Sequence, residues 1–248
     1  MGKAMGELTD RIVFVTGGGK GIGRAVALAF ARAGSDVAIC GRDADALEAT
    51  AREIEAAGRR AFAVPADVSD EAQVNAAVAG ILEAFGRIDI LVNNAGQFLT
   101  KPFTELTAGE WDGLHGVNLR GTFLVCKAVV PHMIERGAGH IFNIASVGGR
   151  RPMKHATAYC ASKYGVVGFS KALARELKPH GIKLQIVYPY RVAARGDADD
   201  RAEEAALASS ISPEEFAAVL VENARRPRRV LIEDLVFEPA VDAAKGGG

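Results

Sequence analysis

Cysteine is scarce: Cys40, Cys126 and Cys160 lie far apart and are odd in number. They have neither the paired spacing of a zinc site nor that of a disulfide framework, so the chain is expected in a reducing cytoplasm. Net charge is missing too. The Lys+Arg count of 30 equals the Asp+Glu count of 30, which leaves no positive field of the kind that nucleic acids or anionic membranes attract. Long apolar runs are absent, and no stretch of about 18 apolar residues is available to cross a bilayer. The start, MGKAMGELTD, has no apolar run after its lysine, so the protein is read as soluble and unprocessed. The histidines, at 115, 132, 140, 155 and 180, lack ligand-like spacing, and no metal is expected.

What is plentiful is apolar sequence, 49% of 248 residues, enough to bury a sizeable core. No repeat or long linker divides it. One α/β domain over 8–240 is expected, with 1–7 and 241–248 as flexible ends. From residue 11, short β-branched runs alternate with longer Ala-rich segments of helical period, the pattern of β–α units around a parallel sheet. Strands are predicted at 12–15, 36–40, 61–64, 88–92, 140–144, 183–187 and 235–237, and helices at 21–33, 44–57, 71–85, 109–136, 158–179 and 213–225. Right-handed crossovers wind such a chain outward and then reverse, leaving a crevice at the carboxyl ends of the strands where a dinucleotide can lie. The charged segment 191–210 reads as a mobile loop or short helix, and the arginines at 225, 226, 228 and 229 as a cap on the helix before them.

TGGGKGIG, from Thr16 to Gly23, follows a strand and opens a helix. Amides at a helix start face a pyrophosphate well, and absent side chains permit close approach. Gly17, Gly19, Lys20, Gly21, Ile22 and Gly23 are therefore cofactor-binding candidates, with a bland glycine loop as the alternative. At the end of the second strand an NAD enzyme would present a carboxylate to the ribose, but this chain has Gly41 and Arg42. A guanidinium can pair with a 2′-phosphate, and Lys20 supplies a second positive charge, so NADP(H) is preferred. Two ordinary solvated charges remain the competing reading, and Asp43 stands where it could hold Arg42 or a ribose.

Tyr159 and Lys163 are four residues apart in a helical segment, which puts phenol and ammonium on one face. A fixed positive charge favours phenolate and brings the group from its ordinary pKa of about 10 toward neutrality; the same spacing also arises by chance in many helices. Ser146 ends the fifth strand, where its hydroxyl could orient a substrate oxygen or cap a turn. Asn118 interrupts a helix, marking a kink, a bound water or a buried amide that satisfies backbone groups. The NNAG stretch closes the fourth strand and lets a cofactor pass beside Asn94, Ala95 and Gly96.

Taken in order and spacing over residues 8–190, TGGGKGIG, NNAG, Asn118, Ser146 and the Tyr159–Lys163 pair resemble the short-chain dehydrogenase/reductase family. The resemblance implies a Rossmann-type doubly wound parallel sheet of about seven strands flanked by helices. It also implies roles. Tyr159 would be general acid or base, Lys163 would lower its pKa and hold the nicotinamide ribose, Ser146 would bind the substrate oxygen, and Asn118 would support a water linked to Lys163. Gly17, Gly21 and Gly23 would form the phosphate turn, Asp67 and Val68 would flank the adenine, and Asn94 would lie beside the cofactor.

The family usually has Pro-Gly, then Val and Thr, after the sixth strand, where they meet the nicotinamide. Here Pro189, Tyr190 and Val192 take those contacts, Tyr190 adds bulk, and Ala194 lacks the hydroxyl, so weaker cofactor binding is expected. The ending, 228–239, resembles that of a branch with mixed carbonyl and hydroxy-acid reductases. The expected function is an NADP(H)-dependent oxidoreductase reducing a ketone or 3-oxoacyl carbonyl to an alcohol, or the reverse. Its pocket would be walled by 97–102, 147–155 and 191–210, with His155 nearby. A homodimer or homotetramer would pair the helices at 109–136 and 158–179. The alternatives are a sensor or scaffold whose altered loop has cost it turnover, and an epimerase or dehydratase on the same fold, which would usually need an extra domain.

Overall fold

In the computed structural model, residues 8–192 and 210–240 are described. Strands β1 (Ile12–Thr16), β2 (Asp36–Gly41), β3 (Ala61–Pro65), β4 (Ile90–Asn93), β5 (Gly139–Ile144), β6 (Ile182–Pro189) and β7 (Asp234–Phe237) form one sheet in the order β3-β2-β1-β4-β5-β6-β7. Every neighbouring pair is parallel. All five residues of β1 are buried, as expected for a parallel strand with helices on both sides. Alternate side chains leave in opposite directions. Phe14 joins a core with Leu91, Ile141 and Leu184, whereas Val13 and Val15 join a second core with Ile39, Ile90 and Val92.

The helices sort themselves by the same rule. Helices α1 (Gly21–Arg32), α2 (Ala44–Ala56) and α7 (Pro213–Ala224) place Phe30, Leu47 and Phe216 in the second core. Helices α3 (Glu71–Phe85), α5 (Thr122–Glu135) and α6 (Thr157–Leu177) place Ile81, Val129 and Val166 in the first. Starts are fixed by side chains, as with Asp70, which accepts the Ala72 and Gln73 amides ahead of α3. The chain winds outward from β1 to β3 and returns on the other side of β1 as β4. That reversal opens the crevice at the carboxyl ends of β1 and β4.

Strand positions follow the sequence pattern, with ends shifted by a few residues: β4 starts later than predicted, and β6 extends in both directions. The helix predicted over 109–136 is a correction. It is divided into α4 (Ala108–His115), a π-helical turn over Gly116–Gly121, and α5. Gly121 is needed there, because a Cβ would lie 2.7 Å from Val68 Cγ2. The arginine cluster is corrected in part. Arg225 pairs with Glu222 of its own helix at 2.8 Å, but Arg228 donates to the carbonyls of Gly137 and Gly181, in the turns before β5 and β6. Residues 193–209, most of the predicted loop, and the predicted flexible ends at 1–7 and 241–248 lie outside the described residues.

At the amino ends of the central strands, away from the crevice, Asp89 ties three segments together. Its buried carboxylate accepts the Ile12 amide, Arg87 Nε and Arg136 Nη2, each at 2.9 Å. Burial alone would raise its pKa, but these donors outweigh it and hold the carboxyl below the usual range. With the folded value below the unfolded one of about 3.9, this stabilisation is present at neutral pH and is lost as pH falls from about 4 through the folded value. Asp89→Ala leaves two guanidinium groups and an amide without their acceptor, and is expected to cost about 3–5 kcal/mol in urea unfolding at pH 7; a loss below about 1 kcal/mol there would sink this reading.

Candidate functional site

A cleft of about 930 Å³ runs along the carboxyl ends of the central strands, at the upper end of the roughly 300–1,000 Å³ common for ligand sites. It is lined by Gly17, Gly19, Lys20, Gly21, Ile22, Gly23, Arg42, Asp67, Val68, Asn94, Ala95, Gly96, Tyr159, Lys163 and Pro189 from among the sequence candidates. Ser146 and Asn118 lie just behind its wall, next to the lining residues Ala145 and Val117. Tyr190 and Val192 do not line it. The Tyr190 amide donates to Phe237 O at 3.1 Å, its ring is part-exposed beside Arg191, and Val192 bridges to Ile211. Ala194 is outside the described residues, and His155, with φ of 61°, holds the Lys101 amide through its carbonyl without lining the cleft.

The glycine turn is held by β4. Thr16 Oγ1 accepts the amides of Asn94 and Ala95 at 3.0 Å, and Asn94 Nδ2 donates back to Thr16 O at 3.0 Å. Gly17 has φ of 67°, a conformation glycine adopts without strain. A Cβ on Gly23 would collide with the Gly17 carbonyl and lie 2.5 Å from Asn94 Nδ2. The turn thus keeps bare backbone at the start of α1, a surface that fits a pyrophosphate. The sequence reading gave Asn94 a place beside the cofactor; its amide is engaged in building the turn, and Thr16, which that reading passed over, is its partner.

Lys20 and Asp43 meet at the other end of this turn. Their Nζ–Oδ2 distance is 2.6 Å, and Asp43 Oδ1 also accepts the Ala46 amide to cap α2. Of the two expectations for Asp43, a hold on Arg42 is corrected: its partners in the protein are Lys20 and the helix start. Asp67 turns inward on itself, accepting Ser69 N at 2.9 Å and Ser69 Oγ at 2.7 Å.

Helix α6 carries Tyr159 and Lys163 into the same cleft. Lys163 is buried, its Nζ donating to Ile144 O at 2.9 Å. Burial pushes its ammonium down to about 8. The Tyr159 ring lies edge-on to Phe98, with centroids 4.7 Å apart, and 5.9 Å from Lys163 Nζ. Burial pushes the phenol up, while the nearby Ser146 hydroxyl pulls it down. The net direction is upward, where the sequence led to an expected phenol depressed by Lys163: desolvation outweighs the lowering by Ser146. At neutral pH the Tyr159 phenol therefore carries its proton.

Asn118 fixes the relation of these parts. Its Oδ1 accepts Gln97 N at 2.7 Å, and its Nδ2 donates to Gln97 O at 3.0 Å and to Ser162 Oγ at 3.0 Å. Ser162 in turn donates to Tyr159 O at 2.8 Å. The π-helical turn is what swings this side chain inward, a common use of such turns. Of the readings left open for Asn118, two are met together: it sits in a local break of the helix, and its buried amide satisfies backbone groups. Ser146 also accepts the Gly148 amide at 3.1 Å, so it caps a turn while facing Tyr159. Phe98 belongs to the 97–102 wall expected from the sequence, whereas Ser162 escaped that reading, although it had a signal, a small polar residue beside Lys163 on the inner face of its helix. Among the described residues no cluster of three His, Cys, Asp or Glu side chains is placed to hold a metal, and no helix is long and apolar enough to cross a membrane.

Residues 11–205 match the family described as short chain dehydrogenase. The D-threitol dehydrogenase of Mycolicibacterium smegmatis is 42% identical over 185 residues, covering 74% of this chain and 70% of that protein. An uncharacterized oxidoreductase of Staphylococcus aureus is 32% identical over 239 residues, covering 95% of this chain and 100% of the relative. Among solved structures, a metagenomic short-chain oxidoreductase in complex with NADP is similar at a TM-score of 0.84 and 33% identity, over 95% of this chain and 100% of that one. Levodione reductase is similar at a TM-score of 0.84 and 31% identity, over 96% and 99%.

The depressed Lys163 value has a direct test. Following the carbon next to Nζ by NMR in protein with 13C-labelled lysine, with Lys163→Arg to assign the signal, is expected to give a midpoint near pH 8. A midpoint at the ordinary value of about 10.4 would mean that burial does not govern this group.

Proposed function

The chain belongs to the short-chain dehydrogenase/reductase family and is an oxidoreductase, and from that premise we propose that it uses NADP(H) to interconvert a carbonyl compound, of ketone or 3-oxoacyl type, and its alcohol. The observation that carries the cofactor choice is Arg42 on the wall of the cleft directly after β2, with Gly41 rather than a carboxylate ending the strand. The NADP-bound relative supports the same choice. The bare backbone at Gly17 and Gly23 would receive the pyrophosphate, and Lys163, beside Gly96, would hold the nicotinamide ribose.

When bound, NADP(H) supplies or accepts the hydride. The protein's own part is proton chemistry and placement. Tyr159 gives its proton to the substrate oxygen in reduction and takes it back in oxidation, and its buried setting keeps that proton on the phenol at neutral pH. Ser146, close enough to Tyr159 to lower its pKa, holds the same oxygen. Phe98 packs against the Tyr159 ring in a T-shaped contact that steadies it. The position of Tyr190 outside the cleft lining supports an active enzyme over a sensor or scaffold. We also propose a homodimer or homotetramer, supported by part-exposed Trp111, Phe123 and Tyr164 on α4, α5 and α6.

Fluorescence titration is expected to show tighter binding of NADPH than of NADH, with Arg42→Ala weakening NADPH about tenfold or more. Tyr159→Phe is expected to keep nucleotide affinity while lowering kcat about 100-fold or more against a panel of ketones. Equal weakening of NADPH and NADH in Arg42→Ala would overturn the NADP(H) assignment, and full turnover by Tyr159→Phe would overturn the proton-donor role.

A further inference from the structure

The Lys20–Asp43 contact lies at the end of the cleft where a 2′-phosphate would be recognised, and it rests on the NADP(H) reading above. We propose that this ion pair is a latch that a 2′-phosphate must open, so that Asp43 limits the preference of the site for NADP(H) over NAD(H).

Three features make the contact more than a chance meeting of surface charges. Both residues line the cleft, together with Arg42 and Ala46. The Asp43 carboxylate is fixed from two sides, by Lys20 Nζ at 2.6 Å and by the Ala46 amide at 3.1 Å. The backbones that bear the pair are also held together. The one Thr50 hydroxyl proton is shared between Ala46 O at 3.0 Å and Gly19 O at 3.3 Å, and a Cβ on Gly19 would lie 3.2 Å from Ala46 Cβ. The turn and the start of α2 therefore meet closely enough that Lys20 falls beside Asp43 by construction.

The charges near this corner cancel. Lys20 and Arg42 supply two positive groups, Asp43 is one carboxylate, and Asp67, which feels the Arg42 charge, is a second. A phosphate carrying close to two negative charges meets Arg42 directly, but it gains Lys20 only by drawing the ammonium away from Asp43. The pair is exposed, with side chains 74% and 50% accessible, and exposed pairs are weak enough to exchange partners. A 2′-hydroxyl has no need of Lys20 and leaves the latch closed. The cost of opening thus falls on NADP(H) alone.

The test is a double-mutant cycle on the full chain, read as Kd for NADPH and NADH by fluorescence titration. Asn and Ser cap helices as Asp does, so Asp43→Asn and Asp43→Ser keep the start of α2. In each, the NADPH-to-NADH preference is expected to rise about fivefold, the scale of one charge interaction across about 4 Å of solvent. Lys20→Met is expected to weaken NADPH selectively, and in that background Asp43→Asn should change the preference less than about twofold, since no latch remains to release. An unchanged preference in Asp43→Asn and Asp43→Ser, with NADPH still bound by the wild type, overturns the latch and leaves the cofactor reading standing. A fivefold gain that persists in the Lys20→Met background also overturns it, because Asp43 then acts only as a repelling charge. Failure of the wild type to bind either nucleotide overturns the cofactor reading and the latch together.

Discussion

The buried amide of Asn118 is the joint on which the geometry of the site depends. It bonds the loop after β4 through both polar atoms of Gln97 and reaches α6 through Ser162. Those two elements carry opposite walls of the cleft, Gly96 to Phe98 on one side and Tyr159 with Lys163 on the other. A buried amide left with an unpaired donor or acceptor costs about 1–3 kcal/mol, so the three segments satisfy one another or none is satisfied. This is a strong constraint on relative position, obtained without a covalent link.

The π-helical turn belongs to the same constraint. A regular helix over 109–136 would carry Asn118 past the site on its surface; one widened turn between Gly116 and Gly121 points it inward. The carbonyl of Asn118 is taken up by Thr122 Oγ1 at 2.8 Å, which relieves part of the disturbance to the helical ladder. Lys163 tells a similar story in electrostatic terms. It is buried with a single carbonyl acceptor from the protein, an expensive position for an ammonium. Groups held at such cost are commonly those that chemistry needs.

Much of the fold was legible in the sequence because parallel strands buried on both faces read as short β-branched runs, and β1, β2 and β5 stand out in that way. Tyr159 and Lys163 were legible because helical spacing alone puts them on one face. The break at residues 116–121 was not, since a period of 3.6 continues almost undisturbed across one widened turn. The Lys20–Asp43 contact was hidden for another reason: the two residues belong to different β–α units, and only the packing of the glycine turn against α2 joins them. The Arg228 contacts were misjudged likewise, because nearness along the chain favoured its own helix, while the sheet brings the Gly137 and Gly181 carbonyls closer. The raised Tyr159 phenol shows that spacing fixes which groups are neighbours but not which of their interactions prevails.

The clasp between Thr16 and Asn94 joins residues 78 positions apart, and this has consequences for how the protein is made and how it breathes. During synthesis, β1, the glycine turn and β2 emerge together and the Gly18 amide meets the Cys40 carbonyl of β2, yet the clasp to Asn94 has to wait until β4 arrives and docks beside β1. Parallel pairing of this reach is slow, because a long loop must close before any bond rewards it. In the finished molecule the dependence runs the other way. A fluctuation that lifts β4 from β1 also dissolves the phosphate-facing turn, so ligand affinity and slow amide exchange at the centre of the sheet are two readings of one equilibrium. The oldest part of the nascent chain is in this sense the last to become competent.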